Sequence, residues 1–228
     1  MNRFLPTLIG LSALVFAQSA SAADMPVKAP IAKVAAPYDW SGFYVGGHFG
    51  YLWGKTRVEE NGIVTEPGAP TNGAIGGVLA GYAWQSGPLV FGLEGDFGWT
   101  HAHGVGFAVP VTPNTYDVNW TTHIRGLGGY AVDNWLFFVA GGLAVADLDF
   151  HEGDDLFARV GGKYYGWSIG GGAAYAITQN LIVRVEYLYD DYGHKDYVNQ
   201  FNDVYRVSLT GQTLRGALIW KFNSFGMP

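Results

Sequence analysis

From Gly42 onward, apolar and polar positions alternate with a period of two, the signature of strands with two unlike faces. Eight stretches carry the pattern. Gly42–Gly54 sets Phe43, Val45, Phe49, Tyr51 and Trp53 on one face and Tyr44, Gly46, His48 and Gly50 on the other. Gly73–Gln85 gathers Val78, Ala80, Tyr82 and Trp84 on one face. Leu89–Trp99 sets Leu89, Phe91, Leu93, Phe97 and Trp99 against Glu94 and Asp96. Val118–Ala131 sets Trp120, Ile124 and Tyr130 against His123 and Arg125. Trp135–Asp147 is apolar on both faces and has no readable orientation. Tyr164–Ile177 gathers Trp167, Ile169, Ala173 and Tyr175. Leu181–Tyr192 sets Leu181, Val183, Val185, Tyr187 and Tyr189 against Arg184 and Glu186. Val204–Phe222 ends with Leu214, Gly216, Leu218, Trp220 and Phe222 against Arg215 and Lys221.

The connections alternate in length. Ser86-Gly87-Pro88, Val132-Asp133-Asn134 and Thr178-Gln179-Asn180 read as tight turns. The others, about 55–72, 100–117, 148–163 and 193–203, read as long loops. No apolar run reaches the ~20 residues of a spanning helix; the longest candidate, Trp135–Ala146, suffices only for a tilted strand of ~9–11 residues. Eight strands with short turns at one end and long loops at the other predict an all-β fold. It is an eight-stranded antiparallel up-and-down transmembrane β-barrel. An even strand number puts both barrel termini at the short-turn end, the periplasmic one.

Alternation alone does not separate this from a soluble lipocalin-like barrel, which points its apolar face inward. Three features do. Trp53, Trp84, Trp99, Trp120, Trp135 and Trp167 cluster near segment ends, as an interfacial aromatic girdle requires. The polar face carries only Glu94, Asp96, Arg125, Arg184, Glu186, Arg215 and Lys221, too few charges to solubilise an outer wall. Gly46, Gly50, Gly92, Gly170 and Gly172 share that face and leave space for long side chains inside a narrow cylinder.

Composition agrees. Gly supplies 34 of 228 residues, aromatics 16% and charged residues only 14%, against about 7% Gly and 25% charge in ordinary soluble domains. A lipid-facing wall needs little charge. Cys is absent, which excludes disulfides, thiolate metal sites and lipidation on Cys. A formal charge of −6 without a basic cluster argues against nucleic acid as a partner. Residues 1–22 read as a secretory signal: Arg3, then an apolar stretch from Phe4 to Ala17, then Ala20-Ser21-Ala22 as cleavage site. Residues 23–37, with Pro26, Pro30 and Pro37, read as a disordered periplasmic tail, 38–222 as the barrel and 223–228 as an extension.

The stretch Tyr38-Asp39-Trp40-Ser41-Gly42-Phe43-Tyr44-Val45-Gly46-Gly47 resembles the opening of the small β-barrel outer-membrane proteins of alphaproteobacteria. That is a family of abundant surface and immunogenic proteins. Gly76–Tyr82 with Phe91–Asp96, Arg125–Tyr130 with Gly141–Ala144, and Val185–Tyr189 are similar to it as well. The resemblance covers nearly all of the chain expected after signal cleavage, from Ala23 onward. It implies an OmpA-like barrel in the outer membrane and no single enzymatic activity; members are described as structural, porin-like or antigenic. Such barrels usually end on an aromatic residue, whereas six residues follow Phe222 here, which bears on its use as an assembly signal. Ala174 stands where relatives often carry a charge.

The candidate chemistry is sparse. Glu94, Asp96, Arg125, Arg184, Glu186 and Arg215 are expected to pair as a charged plug in the lumen, the other reading being a narrow gated pore. His101, His103, His151 and His194 fall in the long loops, with haem or metal binding as the alternative to plain surface. Asp147, Asp149, Glu152, Asp154 and Asp155 crowd the third loop without EF-hand spacing. Ser168 and His123 are the only strand residues that an outer-membrane hydrolase, working on the outward rim, would use, and no nucleophile motif surrounds them. Gly170-Gly171-Gly172 lacks the following helix of a phosphate loop. The expectation is a non-enzymatic surface protein of the outer membrane without cofactor or metal. Its role is structural, with outer-membrane lipid, lipopolysaccharide and the barrel-assembly machinery as partners. A narrow passive pore and a soluble lipocalin-like ligand binder are the alternatives.

Overall fold

The computed structural model describes residues 37–108, 112–152, 160–198 and 204–222. Eight antiparallel strands close into one barrel in the order β1 to β8, with β1 paired to β8. They are β1 (Gly42–Glu60), β2 (Ile63–Ser86), β3 (Leu89–Ala108), β4 (Thr112–Val132), β5 (Trp135–Glu152), β6 (Val160–Ala176), β7 (Leu181–Val198) and β8 (Val204–Lys221). The expected signal, nearly all of the expected tail (23–36), and the extension 223–228 lie outside the described residues.

The three tight turns stand where the sequence puts them. Gly87 (φ 60°) and Asp133 (φ 52°) take the left-handed conformation that closes the first two. At the other end the strands run well beyond the expected limits. Residues 55–72, read as a loop, form the upper half of a hairpin closed by Asn61-Gly62, at φ 48° and 82°. Such positive φ at both positions belongs to a type I′ turn. The stretches 100–108, 112–117, 148–152, 160–163 and 193–198 are likewise strand.

The cause of this difference is a reversal of phase along several strands. At the middle of the membrane-facing part, the outward side chains are apolar and the inward ones are mostly charged residues and Gly. On β8, Leu214 and Leu218 point out and Arg215 points in. Higher up the same strand, Val207 and Leu209 are buried inside and Arg206 is exposed. On β5, Leu143 faces out below, whereas Ala146 and Leu148 are buried inside above, between Asp147 and Asp149. These strands leave lipid for water without leaving the barrel, so their outer face turns polar while their inner face turns apolar. Register shifts near this level, at Thr56/Val58, Trp99/Ala102, Val118/Trp120 and Asp191/His194, absorb the change of coiling.

The outer wall is the opposite of a soluble barrel. Phe49, Phe91, Ile124, Val139, Leu143, Val185 and Leu218 are each more than half exposed. That overturns the lipocalin-like reading. β5 also receives its orientation: Trp135, Phe137, Val139 and Leu143 point out, while Leu136, Phe138, Ala140 and Ala144 point in.

Candidate functional site

The barrel interior is filled in three layers. At the turn end, Leu79, Val90, Leu136, Phe138, Ile182 and Ile219 form an apolar layer around Tyr44. At the loop end, Leu52, Ile75, Tyr116, Leu148, Tyr164 and Leu209 are among those that form a second one. Between them lie the lumen charges.

All six expected charges converge there, each 5% exposed or less. Arg125 on β4 is the hub. Its guanidinium donates to Glu186 Oε1 at 2.7 Å, Glu94 Oε1 at 2.9 Å and Asp96 Oδ2 at 3.2 Å. Arg184 forks onto Glu94 at 2.6 and 3.0 Å. Arg215 donates to Glu186 Oε2 through Nε (3.0 Å) and Nη2 (2.9 Å), and to Asp96 Oδ2 at 3.1 Å. Paired forks of this kind satisfy the planar guanidinium and fix its orientation. Several of the charged residues face Gly across the ladder: Glu94 Gly81, Arg125 Gly142, Glu186 Gly172 and Arg215 Gly50. A Cβ on Gly172 would sit 2.1 Å from the Val185 carbonyl oxygen, and one on Gly142 2.8 Å from Arg125 Cα. These glycines let neighbouring backbones close in as well as giving the charged side chains their path.

Three members of the cluster carried no such expectation. The Tyr44 hydroxyl donates to Glu94 Oε2 at 2.9 Å. His123 Nδ1 lies 2.8 Å from Asp96 Oδ1, and its Nε2 faces Asp190 Oδ1 at 3.3 Å. Glu94, Asp96, Glu186 and Asp190 outnumber Arg125, Arg184 and Arg215 by one charge. His123, wedged between two carboxylates, is placed to cancel the excess. The signal was present in part, since His123 shares the polar face with Arg125, but Asp190 falls at the level where the strand pattern reverses.

The turn-end mouth is covered by the segment before β1. Tyr38 and Trp40 are buried and meet edge to face at 4.8 Å. The Tyr38 hydroxyl donates to the Gln179 carbonyl at 3.0 Å, and the Trp40 backbone N–H to Gln85 Oε1 at 2.7 Å. Lys221 takes no part in the lumen network; its ammonium donates to the Asp39 carbonyl and sits 4.5 Å over the Tyr38 ring. Burial, reinforced by the Asp39 carboxylate, raises the Tyr38 phenol to about 12. Ala174 packs in the turn-end apolar layer.

The six tryptophans all face out, in two belts. Trp84 and Trp135 lie toward the turns, with Trp220, Tyr130 and Phe91 at similar height. Trp53, Trp99, Trp120 and Trp167 lie toward the loop end. Phe43 and Trp53 are ten residues apart on β1. That is about 33 Å of strand, or about 25 Å of height at a tilt near 40°.

Ser168 and His123 are buried inside the lumen, so neither stands on the rim where the hydrolase reading needs it. His101 and His103 belong to β3, not to a loop, and His103 pairs with Asp117 at 2.7 Å. His194 lies on β7 and His151 on β5, where its side chain is not described. Asp147 and Asp149 lie on the outer wall of β5 and accept from the Asn119 amide at 3.3 and 3.0 Å. Glu152 closes β5 without a described side chain, and Asp154 and Asp155 lie outside the described residues.

Comparison with known proteins gives the same picture. Residues 10–222 match the family model described as outer membrane protein beta-barrel domain. The 31 kDa outer-membrane immunogenic protein of Brucella melitensis is 33% identical over 92% of this chain and 96% of its own. The 22 kDa outer membrane protein of Rhizobium leguminosarum is 31% identical over 73% of this chain and 71% of its own. Among solved structures, the outer membrane protein OprG of Pseudomonas aeruginosa superposes with a TM-score of 0.53 at 8% identity, covering 82% of this chain and 99% of that one. That likeness concerns the fold alone. With an apolar outer wall, a charged interior and a family match over almost its whole length, the chain belongs to the outer membrane protein beta-barrel family and resides in the outer membrane.

Proposed function

We propose that this protein is a sealed, non-enzymatic barrel that stiffens the outer membrane and carries its loop-end hairpins at the cell surface. The observation that carries this reading is the closed charge network around Arg125, buried between two apolar layers. Eight strands enclose little more than the volume of their own side chains, and here that volume is taken by paired ions and packed rings. The relatives' names, which call them immunogenic, support display at the surface. The apolar wall between its two aromatic belts packs against lipid and lipopolysaccharide. β8, ending beside Phe222, is the strand offered to the barrel-assembly machinery. A narrow pore is the second reading. It is favoured by Thr121 Oγ1 and Ser168 Oγ, buried hydroxyls without a protein hydrogen-bond partner, where water would fit. The apolar layers on both sides of that level weigh against a continuous water path. Liposome swelling separates the two readings. Vesicles carrying the refolded barrel should exclude arabinose as protein-free vesicles do, and swelling at rates typical of porins would refute the sealed lumen.

A further inference from the structure

On the outer wall just above the loop-end aromatic belt, β7, β8, β1 and β2 frame a groove of about 590 Å³. Trp53 and Tyr187 supply rings at its membrane side, Asn72 and Gln212 flank Trp53 across the ladder, and Lys55 and Thr210 supply polar groups one outward position further up. The Tyr187 hydroxyl donates to Gln212 Oε1 at 2.9 Å, which occupies the amide oxygen and leaves the NH₂ group as the free end. No lining residue carries a carboxylate. Asp191, across the ladder from Thr210, has its carboxylate turned to the Gly193 N–H at 2.9 Å.

Lys55 is unlike every other described cation. Arg57 pairs with Glu59 and Arg206 with Asp196, at 2.9 and 2.8 Å. Lys163 lies over Trp120 and Lys195 over Tyr164, at 5.8 and 5.4 Å, and Lys221 is held by Asp39 and Tyr38. Among the described residues, Lys55 alone has neither a carboxylate, a carbonyl nor a ring as partner. It stands one outward position beyond Trp53, about 5 Å further from the membrane centre on a tilted strand. An aromatic floor at the interface, an unpaired ammonium one step above it and a surround of hydrogen-bond donors without negative charge fit a phosphorylated sugar anchored in the outer leaflet.

We propose that this groove is a binding site for the phosphorylated saccharide headgroup of lipopolysaccharide, with Lys55 on a phosphate, Gln212 and Asn72 on the sugar and Trp53 and Tyr187 beneath it. The proposal rests on the reading that the loop-end hairpins face the cell exterior but not on whether the lumen conducts. The test uses the refolded full chain in phosphatidylcholine nanodiscs, titrated with diphosphorylated lipid A and read by native mass spectrometry. Lys55→Gln should weaken binding about tenfold, the value of one charge-assisted contact. Lys163→Gln, over Trp120 of the same aromatic belt but outside the groove, should leave it unchanged. Dephosphorylated lipid A should bind the wild type about tenfold more weakly and be indifferent to Lys55→Gln. Inorganic phosphate at millimolar concentration should not compete. Heat-modifiable gel migration reports whether each variant is folded, and Gln212→Ala, expected to weaken binding several-fold, provides a second reading of the groove. Equal affinity of wild type and Lys55→Gln, equal loss in both lysine variants, or competition by free phosphate would overturn the site. Those outcomes leave the sealed lumen standing, and a conducting wild type would leave the groove standing.

Discussion

Replacing Arg125 by Met tests the lumen most sharply. The side chain keeps much of its apolar length and loses the guanidinium that contacts Glu186, Glu94 and Asp96 at 2.7, 2.9 and 3.2 Å. Arg184, Arg215 and His123 remain, which leaves the buried carboxylates Glu94, Asp96, Glu186 and Asp190 one cation short. Breaking a buried ion pair from one side costs about 3–5 kcal/mol, because the partner charge stays buried. We expect a loss of about 4 kcal/mol. With a urea slope of about 2 kcal/mol/M, the unfolding midpoint in lipid vesicles should fall by about 2 M. Glu186→Gln in the same background should cost less than in the wild type, since one of its two guanidinium hydrogen-bond partners is gone, with a coupling of about 2 kcal/mol. A loss below about 1 kcal/mol, the range of solvated pairs, would mean that the charges are hydrated and that the lumen is wet.

Three further outcomes follow from the packing. Gly172→Leu drives a side chain into the Val185 carbonyl and should abolish the heat-modifiable folded band, whereas Gly128→Ala, with no atom within 4 Å of the added carbon, should assemble normally. Trp40→Ala removes a buried aromatic ring from the turn-end mouth and should destabilise the barrel by about 3 kcal/mol, read by the same urea titration. The Tyr38 phenol is held up at about 12, so the fold favours its neutral form. Its contribution is therefore complete below pH 10, the usual tyrosine value, and is lost as the pH climbs from 10 through about 12. Tyr38→Phe should remove that alkaline drop in the urea midpoint, and an unchanged drop would place its cause elsewhere.

The membrane-facing pattern was legible in the sequence because lipid makes one consistent demand over about ten residues of every strand. β1, β3, β7 and the end of β8 could be oriented from it. β5 could not, because Leu136 and Phe138 fill the lumen with the same apolar chemistry that Phe137 and Val139 offer to lipid. The strand extensions were read as loops because the alternation changes phase above the loop-end belt, where Arg57 and Asp149 face water and Val58 and Leu148 face inward. The six lumen charges could be named from their shared face. Their partners could not, since pairing depends on the shear that brings β4 over β7 and β3 over β8. Tyr38 and Trp40 were visible only as part of a familiar opening. Nothing local shows that a segment before the first strand folds back into the mouth.

If the charge network between two apolar layers closes the lumen, the wild-type barrel carries no ionic current. Single-channel recording of the wild-type barrel in a planar bilayer measures this directly. The account predicts a flat current under voltages of either sign at neutral pH and physiological salt. Reproducible conductance steps from wild-type protein would contradict it.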